Sequence, residues 1–304
     1  MNVIEAYLAD LRAVLHGEPA TVTDVRVGVF YTAVALGTGE TGVAFTPRDQ
    51  ADTVCCPRSA AAAPQAGRLA GQDAWALARE AVETNSLRRA VGVAVLNALS
   101  ARAMARAGVP GGALLPGVDA LQAAGVGPED RVAMVGAFVP FIKALKGRVA
   151  RLWVVDSHRD ALKGDELPFW RSPDEAPEVL GAASVVVITG SALVEGGLDA
   201  LLAAAASARV ITGSALVEGG LDALLAAAAS ARSVVLAGPT ASAWPRPFFE
   251  RGVTVMGGIR VLDGRALLQV VSEGGSGYFF EGIAEKVCIV REGEALDIAR
   301  RVAA

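Results

Sequence analysis

The sequence predicts an α/β protein in which a parallel-sheet domain follows a smaller α+β domain. In the second half, short and almost wholly apolar runs alternate with helical segments, which is typical of a parallel sheet covered on both faces. In the first half, strands precede helical runs, which is the order of an α+β unit. The apolar runs of the second half are residues 131–138, 151–156, 184–190, 233–239 and 253–258.

The smaller domain is expected to span residues 1–112. It begins with an amphipathic helix that Asn2 caps together with Glu5. Alternating apolar residues then predict a strand that runs from Val25 toward Leu36, and a second strand returns after a turn. We therefore expect one antiparallel hairpin here.

Helical periodicity returns at Asp73, and a second helical run ends at Gly108. The Gly- and Pro-rich segment 108–117 is interpreted as a linker. The second domain, residues 113–304, carries the alternating strands and helices of a Rossmann-like fold.

Composition excludes several classes of function. The 304 residues are 53% hydrophobic and carry a net charge of −4 without a basic tract, which disfavours a nucleic-acid partner. No apolar stretch reaches the roughly 18 residues that a membrane span needs. The first residues lack the basic region of a signal peptide, so we expect a cytoplasmic protein. A homo-oligomer is left open.

One segment is present twice. The 23 residues 187–209 recur without any change as residues 210–232. Two identical copies are too few for a repeat array, and copies in a natural array diverge. We therefore expect the strand of the first copy to enter the sheet, with about 23 surplus residues outside it at a modest cost of loop closure. The alternative is that "VIT" of the second copy, residues 210–212, enters the sheet as a short extra strand.

Small and hydroxyl-bearing residues follow the strands of the predicted parallel sheet. Ligands of such sheets bind beyond the carboxyl ends of the strands, where small residues let them approach the backbone and hydroxyl groups can hydrogen-bond them. The predicted ligand-binding residues are Asn97, Gly136, Phe138, Asp156, His158, Thr189, Gly190, Ser191, Gly238, Pro239, Thr240, Gly257 and Gly258.

Three of these residues have specific alternatives. Asp156 lies twenty residues after Gly136, the spacing of the acidic residue that holds a ribose in dinucleotide-binding folds, although the glycine motif itself is absent. The alternative is an ordinary acid at the end of a strand. His158 is either a general acid or base, or an exposed loop residue. Asn97 either faces a cleft between the domains or pairs within the helix packing.

Metal-binding residues are few. Cys55 and Cys56 are adjacent and could bind a soft metal, but no partner pair completes a tetrahedral set. The sequence therefore predicts no metal site in the chain. It has no triad order, HExxH motif, P-loop or paired carboxylates, so it leaves catalysis, catalytic residues and cofactor open.

Five segments carry a resemblance to a known family. They are "GVAVLNALSA" (92–101), "RVAMVGAFVPF" (131–141), "VVVITGSALVEGGLDALL" (185–202), "VVLAGPTASAWP" (234–245) and "GVTVMGGIRVLD" (252–263). The chain resembles the putative heavy-metal chelation family, whose members join an enolase-N-terminal-like domain to a Rossmann-like domain. Glu195 and Gly197 stand where the family pattern has Asn and Thr, and the family lacks the duplication.

The resemblance implies a small-molecule binding protein or enzyme with a cleft between its domains, acting in heavy-metal chelation or chelator metabolism. Its partner would be a small organic ligand or a metal chelate. Two alternatives stay open at this point. One is a non-enzymatic metal carrier that uses Cys55 and Cys56, and the other is an enzyme that depends on a nucleotide or S-adenosylmethionine.

Overall fold

The structure is a computed structural model that describes residues 2–47, 64–191, 194, 231, 233–293 and 296–297. Its helices are α1 (Val3–Val14), α2 (Ala74–Ala78), α3 (Ser86–Ala107), α4 (Ala120–Ala123), α5 (Val139–Leu145), α6 (Ala176–Ala182), α7 (Arg246–Phe249) and α8 (Gly264–Ser272). Its strands are β1 (Val22–Val27), β2 (Tyr31–Leu36), β3 (Thr41–Phe45), β4 (Gly112–Pro116), β5 (Arg131–Val135), β6 (Arg151–Val155), β7 (Trp170–Arg171), β8 (Val185–Thr189), β9 (Ser233–Ala237), β10 (Val255–Val261) and β11 (Ala284–Arg291).

The small sheet has three antiparallel strands in the order β1-β2-β3, rather than one hairpin. The single strand expected from Val25 to Leu36 is wrong, because the chain reverses after Gly28. The backbone N–H of Gly28 donates to the carbonyl of Tyr31 at 2.8 Å. A Cβ at Gly28 would collide with the carbonyl of Val271 in α8, so a distant contact fixes this turn.

Both faces of the small sheet are covered. Side chains alternate between the faces of a strand, so Val34 packs into the core with α1 and α3, while its neighbour Ala33 packs against Leu267 of α8. Helix α8 belongs to the second half of the chain, so the two halves interlock. The domain boundary at residue 112 stays a prediction.

Helix α3 is the longest helix of the described residues and lies at the centre of the first unit. Asn85 caps it, since its Oδ1 accepts from the backbone N–H of Arg88 at 3.0 Å. Gly108 ends it with a φ of 70°, the left-handed conformation that favours glycine at a helix terminus. The helical run predicted to end at Gly108 is therefore confirmed.

The large sheet has eight strands in the order β4-β11-β10-β9-β8-β5-β6-β7. The six strands from β10 to β7 run parallel to one another; the apolar runs predicted five of them, and β7 was not predicted. Strand β11 pairs antiparallel with both β10 and β4. The predicted fold class, a Rossmann-like parallel sheet that follows a smaller α+β unit, is confirmed.

Part of the expected linker is a strand. Residues Gly112–Pro116 form β4, which pairs with β11 through partners such as Leu114 and Ile289. The prediction of a linker over 108–117 is therefore wrong in its second half. Its apolar residues pack against the core beside β11, and the Gly and Pro residues lie around them.

The first copy of the duplicated segment supplies a strand. Val187 of β8 lies between Met134 of β5 and Val235 of β9, so β8 and β9 are direct neighbours. The expectation that the first copy's strand enters the sheet is confirmed. The second copy, residues 210–232, lies outside the described residues apart from Ala231. No helix among the described residues has the length and apolar character that a membrane span requires.

Candidate functional site

The order of the parallel strands reverses between β5 and β8. From β5 the chain proceeds to β6 and β7 on one side, and then returns to β8, β9 and β10 on the other. At such a switch point the connections leave in opposite directions and open a crevice at the carboxyl ends of the strands. The carboxyl ends of β5 and β8 therefore form the candidate ligand site.

Gly136 and Thr189 meet at this switch point. Gly136 follows β5 with a φ of 85°, which an L-residue with a side chain rarely adopts. A Cβ at Gly136 would collide with Oγ1 of Thr189, the last residue of β8. The Thr189 hydroxyl also shares a hydrogen bond of 2.9 Å with the hydroxyl of Ser191. The glycine thus allows a pair of hydroxyl groups to stand beside the end of β5.

Asp156 follows β6, which lies on the other side of β5 from β8. Its Oδ2 accepts from the backbone N–H of Ala137 at 2.7 Å, and its Oδ1 accepts from that of His158 at 2.8 Å. The carboxylate therefore ties the loop after β6 to the loop after β5. The side chain of His158 is 69% exposed, and its Nδ1 lies 3.0 Å from the hydroxyl of Ser157.

Phe138 and Gly190 have packing contacts at the same edge. Phe138 is the residue before α5, and its ring meets that of Phe141 edge to face at a centroid distance of 4.8 Å. Gly190 donates its N–H to the carbonyl of Ala237 at 2.6 Å. A Cβ at Gly190 would lie 3.0 Å from Cβ of Thr240, so this glycine allows β8 and β9 to end close together.

Asn97 is fully engaged with protein groups. It is 2% exposed. Its Nδ2 donates to the carbonyls of Val43 at 2.8 Å and Thr240 at 2.9 Å, and its Oδ1 accepts from the hydroxyl of Tyr7 at 2.8 Å. Both amide donors are therefore used to join α3 and β3 to the loop after β9. A ligand-binding role for Asn97 stays a prediction. The contacts above match the alternative, in which Asn97 pairs with protein groups where the helix packs.

The loop after β9 is bound directly to the first unit. Gly238 has a φ of 117°, and its N–H donates to the carbonyl of Gly257 at 2.9 Å. Pro239 then begins a single 3-10 turn, in which the buried Thr240 accepts at Oγ1 from the backbone N–H of Phe45 at 2.8 Å. At the end of β9, the first unit therefore lies where a ligand would otherwise approach.

The glycines of β10 also allow close packing. A Cβ at Gly257 would approach Cβ of Ala120 in α4, and one at Gly258 would approach Ser242. The Ser242 hydroxyl accepts from the backbone N–H of Ile259 at 2.8 Å. The ligand-binding roles predicted for Gly238, Gly257, Gly258, Pro239 and Thr240 stay predictions.

The structure thus divides the predicted site residues into two groups. The group around the switch point is Gly136, Phe138, Asp156, His158, Thr189, Gly190 and Ser191. Of the remaining residues, Asn97 and Thr240 join the first unit to the large sheet, whereas Gly238, Pro239, Gly257 and Gly258 lie in or beside the loop after β9. Sequence reasoning missed Ser242, whose position in a run of small residues after β9 was the only signal.

Metal-ligating side chains do not cluster in the described part of the chain. No three His, Cys, Asp or Glu residues there could hold a metal ion together. Cys55 and Cys56 lie outside the described residues. Cys288 is buried in β11, where its Sγ donates to the carbonyl of Val118 at 3.1 Å. Burial, and second the Asp119 carboxylate, raise the pKa of the Cys288 thiol to about 12, so it is protonated at neutral pH.

A separate small cleft lies in the first unit. Its volume is about 140 Å³, and it is lined by Pro64, Gln65, Leu69, Gln72, Leu77, Glu80, Arg88 and Val91. The guanidinium of Arg88 is paired with the carboxylate of Glu80. This cleft contains none of the predicted site residues.

Comparison with known families decides the relationship of the chain. A sequence profile described as "putative heavy-metal chelation" matches residues 119–211 and 205–290, and a second profile with the same description matches residues 11–100. The chain belongs to this heavy-metal chelation family. Among curated proteins, none matches the chain.

The first family profile matches in two segments, and these overlap at residues 205–211. The overlap spans the junction between the two copies at residues 209 and 210. Each of the two matched ranges therefore contains one complete copy, as expected if the sequence profile of the heavy-metal chelation family includes these 23 residues only once. The duplication is an addition to that pattern.

Solved structures of two proteins of unknown function from the heavy-metal chelation family share the fold. One is from Pyrococcus horikoshii, with 17% identity, a TM-score of 0.68 and coverage of 95% of this chain and 100% of that one. The other is from Desulfitobacterium hafniense, with 17% identity, a TM-score of 0.64 and coverage of 94% and 99%. The likeness to enolase-superfamily structures is weak, as for a dipeptide epimerase from Methylococcus capsulatus at a TM-score of 0.30, with 14% identity and coverage of 74% and 88%.

Proposed function

We propose that this protein binds a small organic ligand of the metal-chelating kind at the carboxyl ends of β5 and β8. The observation that carries the proposal is the hydroxyl pair of Thr189 and Ser191 beside Gly136, at the point where the strand order reverses. Ligands of open α/β sheets bind at such switch points.

The chemistry of the hydroxyl pair suits an oxygen-rich ligand. A hydroxyl group has one donor and two acceptor positions, and the bond between Thr189 and Ser191 uses one donor and one acceptor of the pair. The second donor and the other lone pairs remain for a ligand that presents carboxylate or hydroxyl oxygens. Both residues are half-buried, so a bound group would lose only part of its hydration.

A chelate fits these groups better than a bare metal ion. Neutral hydroxyls are weak ligands for heavy metals, which prefer thiolate and imidazole groups. The carboxylate of Asp156, at the end of the neighbouring strand β6, already accepts from two backbone N–H groups. We therefore propose that any metal arrives within its organic chelator, and that the protein is cytoplasmic and acts on this small ligand.

A nucleotide or S-adenosylmethionine is a second candidate because of one observation. Asp156 ends the strand next to β5, the place where an acidic residue holds the ribose in dinucleotide-binding folds. Its carboxylate oxygens retain lone pairs beyond the two backbone bonds. The two candidates therefore require the same screen.

A thermal-shift screen of the full chain tests both candidates. The probes are ferric citrate, nickel–EDTA, the metal-free chelators, ATP, NAD and S-adenosylmethionine. We expect a rise in unfolding temperature with a chelate or chelator, and loss of that rise in Thr189→Val and Ser191→Ala but not in the matched control Ser272→Ala. A rise with a nucleotide alone would favour the second candidate, and no rise with any probe would contradict both.

The metal-carrier alternative has its own test. Metal content of the purified protein is measured for the natural chain and for a Cys55→Ser/Cys56→Ser variant. Under the present proposal both contain equal metal, because the proposed site binds its ligand through hydroxyl groups and uses no thiol. A stoichiometric metal that disappears in the variant would favour a carrier instead.

A further inference from the structure

Strand β1 forms an edge of the small sheet, and part of that edge is open. Residues 71–73 pair with its beginning, where the N–H of Gly71 donates to the carbonyl of Val22 at 2.7 Å and Thr21 bridges to Asp73. From Thr23 to Val27, no described residue pairs with the outer side of the strand. The open stretch is thus five residues long and centred on Val25.

The register with β2 shows which backbone groups point outward. Gly28 bonds to Tyr31 across the turn, and hydrogen-bonded pairs of an antiparallel ladder recur at every second residue. Asp24 and Arg26 therefore bond inward to β2. The N–H and C=O groups of Val25 and Val27 therefore point away from the sheet, as a new strand would require, whereas a β-bulge between Val22 and Asp24 interrupts this alternation at Thr23.

We propose that this open edge pairs with the same edge of a second copy of the chain, antiparallel and with the two-fold axis at Val25. In that register Val25 faces Val25 of the second copy, and Thr23 faces its Val27. Asp24 and Arg26, which form an ion pair within each chain, then lie opposite Arg26 and Asp24 of the second copy, so four charges of alternating sign meet. Opposite charges directly across a strand pair are stabilising, and here the symmetry supplies the contact twice.

The ends of the open stretch allow this register and oppose a longer one. Beyond Val27 the next residue, Gly28, directs its N–H into the turn. In the proposed register Gly28 would lie opposite Val22 of the second copy. The outward backbone groups of that Val22 are already bonded to residues 71–73 of its own chain. Pairing therefore ends at the same residues on both edges, with the backbone bonds between the two Val25 residues at the two-fold axis. In this register the charges of Asp24 and Arg26 complement those of an identical edge, which points to a second copy rather than to an unrelated strand.

An exposed apolar patch lies beside the same edge. The exposed fractions are 44% for Val27, 70% for Val29, 39% for Phe30, 76% for Tyr278 and 64% for Phe279. The turn after β1 contacts the loop after α8, since a Cβ at Gly274 would lie 3.5 Å from Cγ2 of Val29. Large apolar side chains grouped at the surface mark interaction sites. The patch extends the proposed interface beyond the five paired residues.

Charge reversal tests the register without touching the core. The molar mass of the full chain is measured by sedimentation equilibrium, where the natural protein is expected at twice the chain mass of 31.0 kDa. D24R or R26D places like charges opposite each other and should raise the dimer dissociation constant at least about tenfold. The double variant D24R/R26D restores opposite charges and should restore the dimer. Glu285→Arg, at the exposed ion pair with Arg260, is the matched control and should leave the mass unchanged.

Mixing the two single variants gives the sharpest outcome. An equal mixture of D24R and R26D chains pairs two positive residues with two negative ones, so we expect a heterodimer although each variant alone is mainly monomeric. The proposal is overturned if the natural chain stays at 31.0 kDa at all concentrations, if the single variants dimerise as the natural chain does, or if the mixture stays monomeric.

Discussion

Asn97 shows how one residue joins the two units of the molecule. Its amide reaches a strand carbonyl, a loop carbonyl of the other unit and the hydroxyl of Tyr7, with all three bonds between 2.8 and 2.9 Å. The sequence identified Asn97 as a polar residue in an apolar helix, but the partners are far apart in the chain. It could therefore predict that Asn97 needs partners, and not which ones.

Replacing Asn97 should destabilise the whole fold. In Asn97→Ala two buried carbonyls and one buried hydroxyl lose a partner, and we expect a loss of about 3 kcal/mol in the free energy of unfolding. Tyr7→Phe is the milder comparison, because it removes one hydroxyl and leaves both amide donors bonded. Urea unfolding followed by circular dichroism measures both variants. A loss below about 0.5 kcal/mol for Asn97→Ala would contradict this role.

Cys288 should make the free energy of unfolding fall in alkaline solution. Burial and Asp119 raise the pKa of its thiol from 9.0 to about 12, so the thiol ionises in the unfolded chain before it does so in the folded one. The stabilising contribution is complete below pH 9.0 and is lost as the pH rises toward 12. Between about pH 9 and about pH 11, the natural protein should lose up to about 1.4 kcal/mol per pH unit more than Cys288→Ala does. Equal pH slopes in urea unfolding under reducing conditions would contradict this prediction.

At the scale of elements, the parallel strands were predictable and the edges were not. A strand buried on both faces, such as β8, has an almost continuous apolar sequence that identifies it. The edge strand β4 and its neighbour β11 have weaker patterns, and the turn after β1 depends on a contact between Gly28 and Val271 that no local signal reveals. Local periodicity therefore predicted the central strands of the large sheet. The strands at one side of that sheet and the turns of the small sheet depend on tertiary contacts, which the local sequence does not reveal.

Two helical glycines should respond to alanine in opposite ways. Gly92 lies in α3, where a Cβ would collide with the backbone of Ala81, so Gly92→Ala should cost about 2 kcal/mol in the free energy of unfolding although alanine favours a helix. Gly181 in α6 has open space around the same position, so Gly181→Ala should stabilise by about 0.5–1 kcal/mol. Thermal and urea unfolding measure both. Changes of the same sign would contradict the packing described between α3 and the turn after α2.

At the scale of the whole molecule, the candidate site lies where the two halves of the sheet diverge. The sequence predicted the small and hydroxyl residues at the strand ends, because their order follows from the order of the apolar runs. It could not predict that the Thr240 hydroxyl accepts from the backbone of Phe45, or that the Asn97 amide donates to the carbonyl of Thr240. Both bonds depend on how the small sheet packs against the large one. The candidate site is therefore concentrated at Gly136, Thr189 and Ser191.

The duplication should be dispensable for the fold. Because the copies are identical and adjacent, removing residues 187–209 or 210–232 yields the same chain, in which one copy supplies the end of β8 and leads directly to β9. We expect this shortened chain to keep the same circular dichroism spectrum and to unfold at a higher temperature, because less chain must be ordered. A shortened chain that is unfolded or insoluble would show that both copies are structural.

The most direct measurement of the proposed function is the electron density of a crystal grown with the chelate that raises the unfolding temperature most. The proposal predicts ligand oxygens within hydrogen-bond distance of the Thr189 and Ser191 hydroxyls, beside Gly136. Density for the same ligand at another surface, with this end of β5 and β8 filled only by solvent, would contradict it.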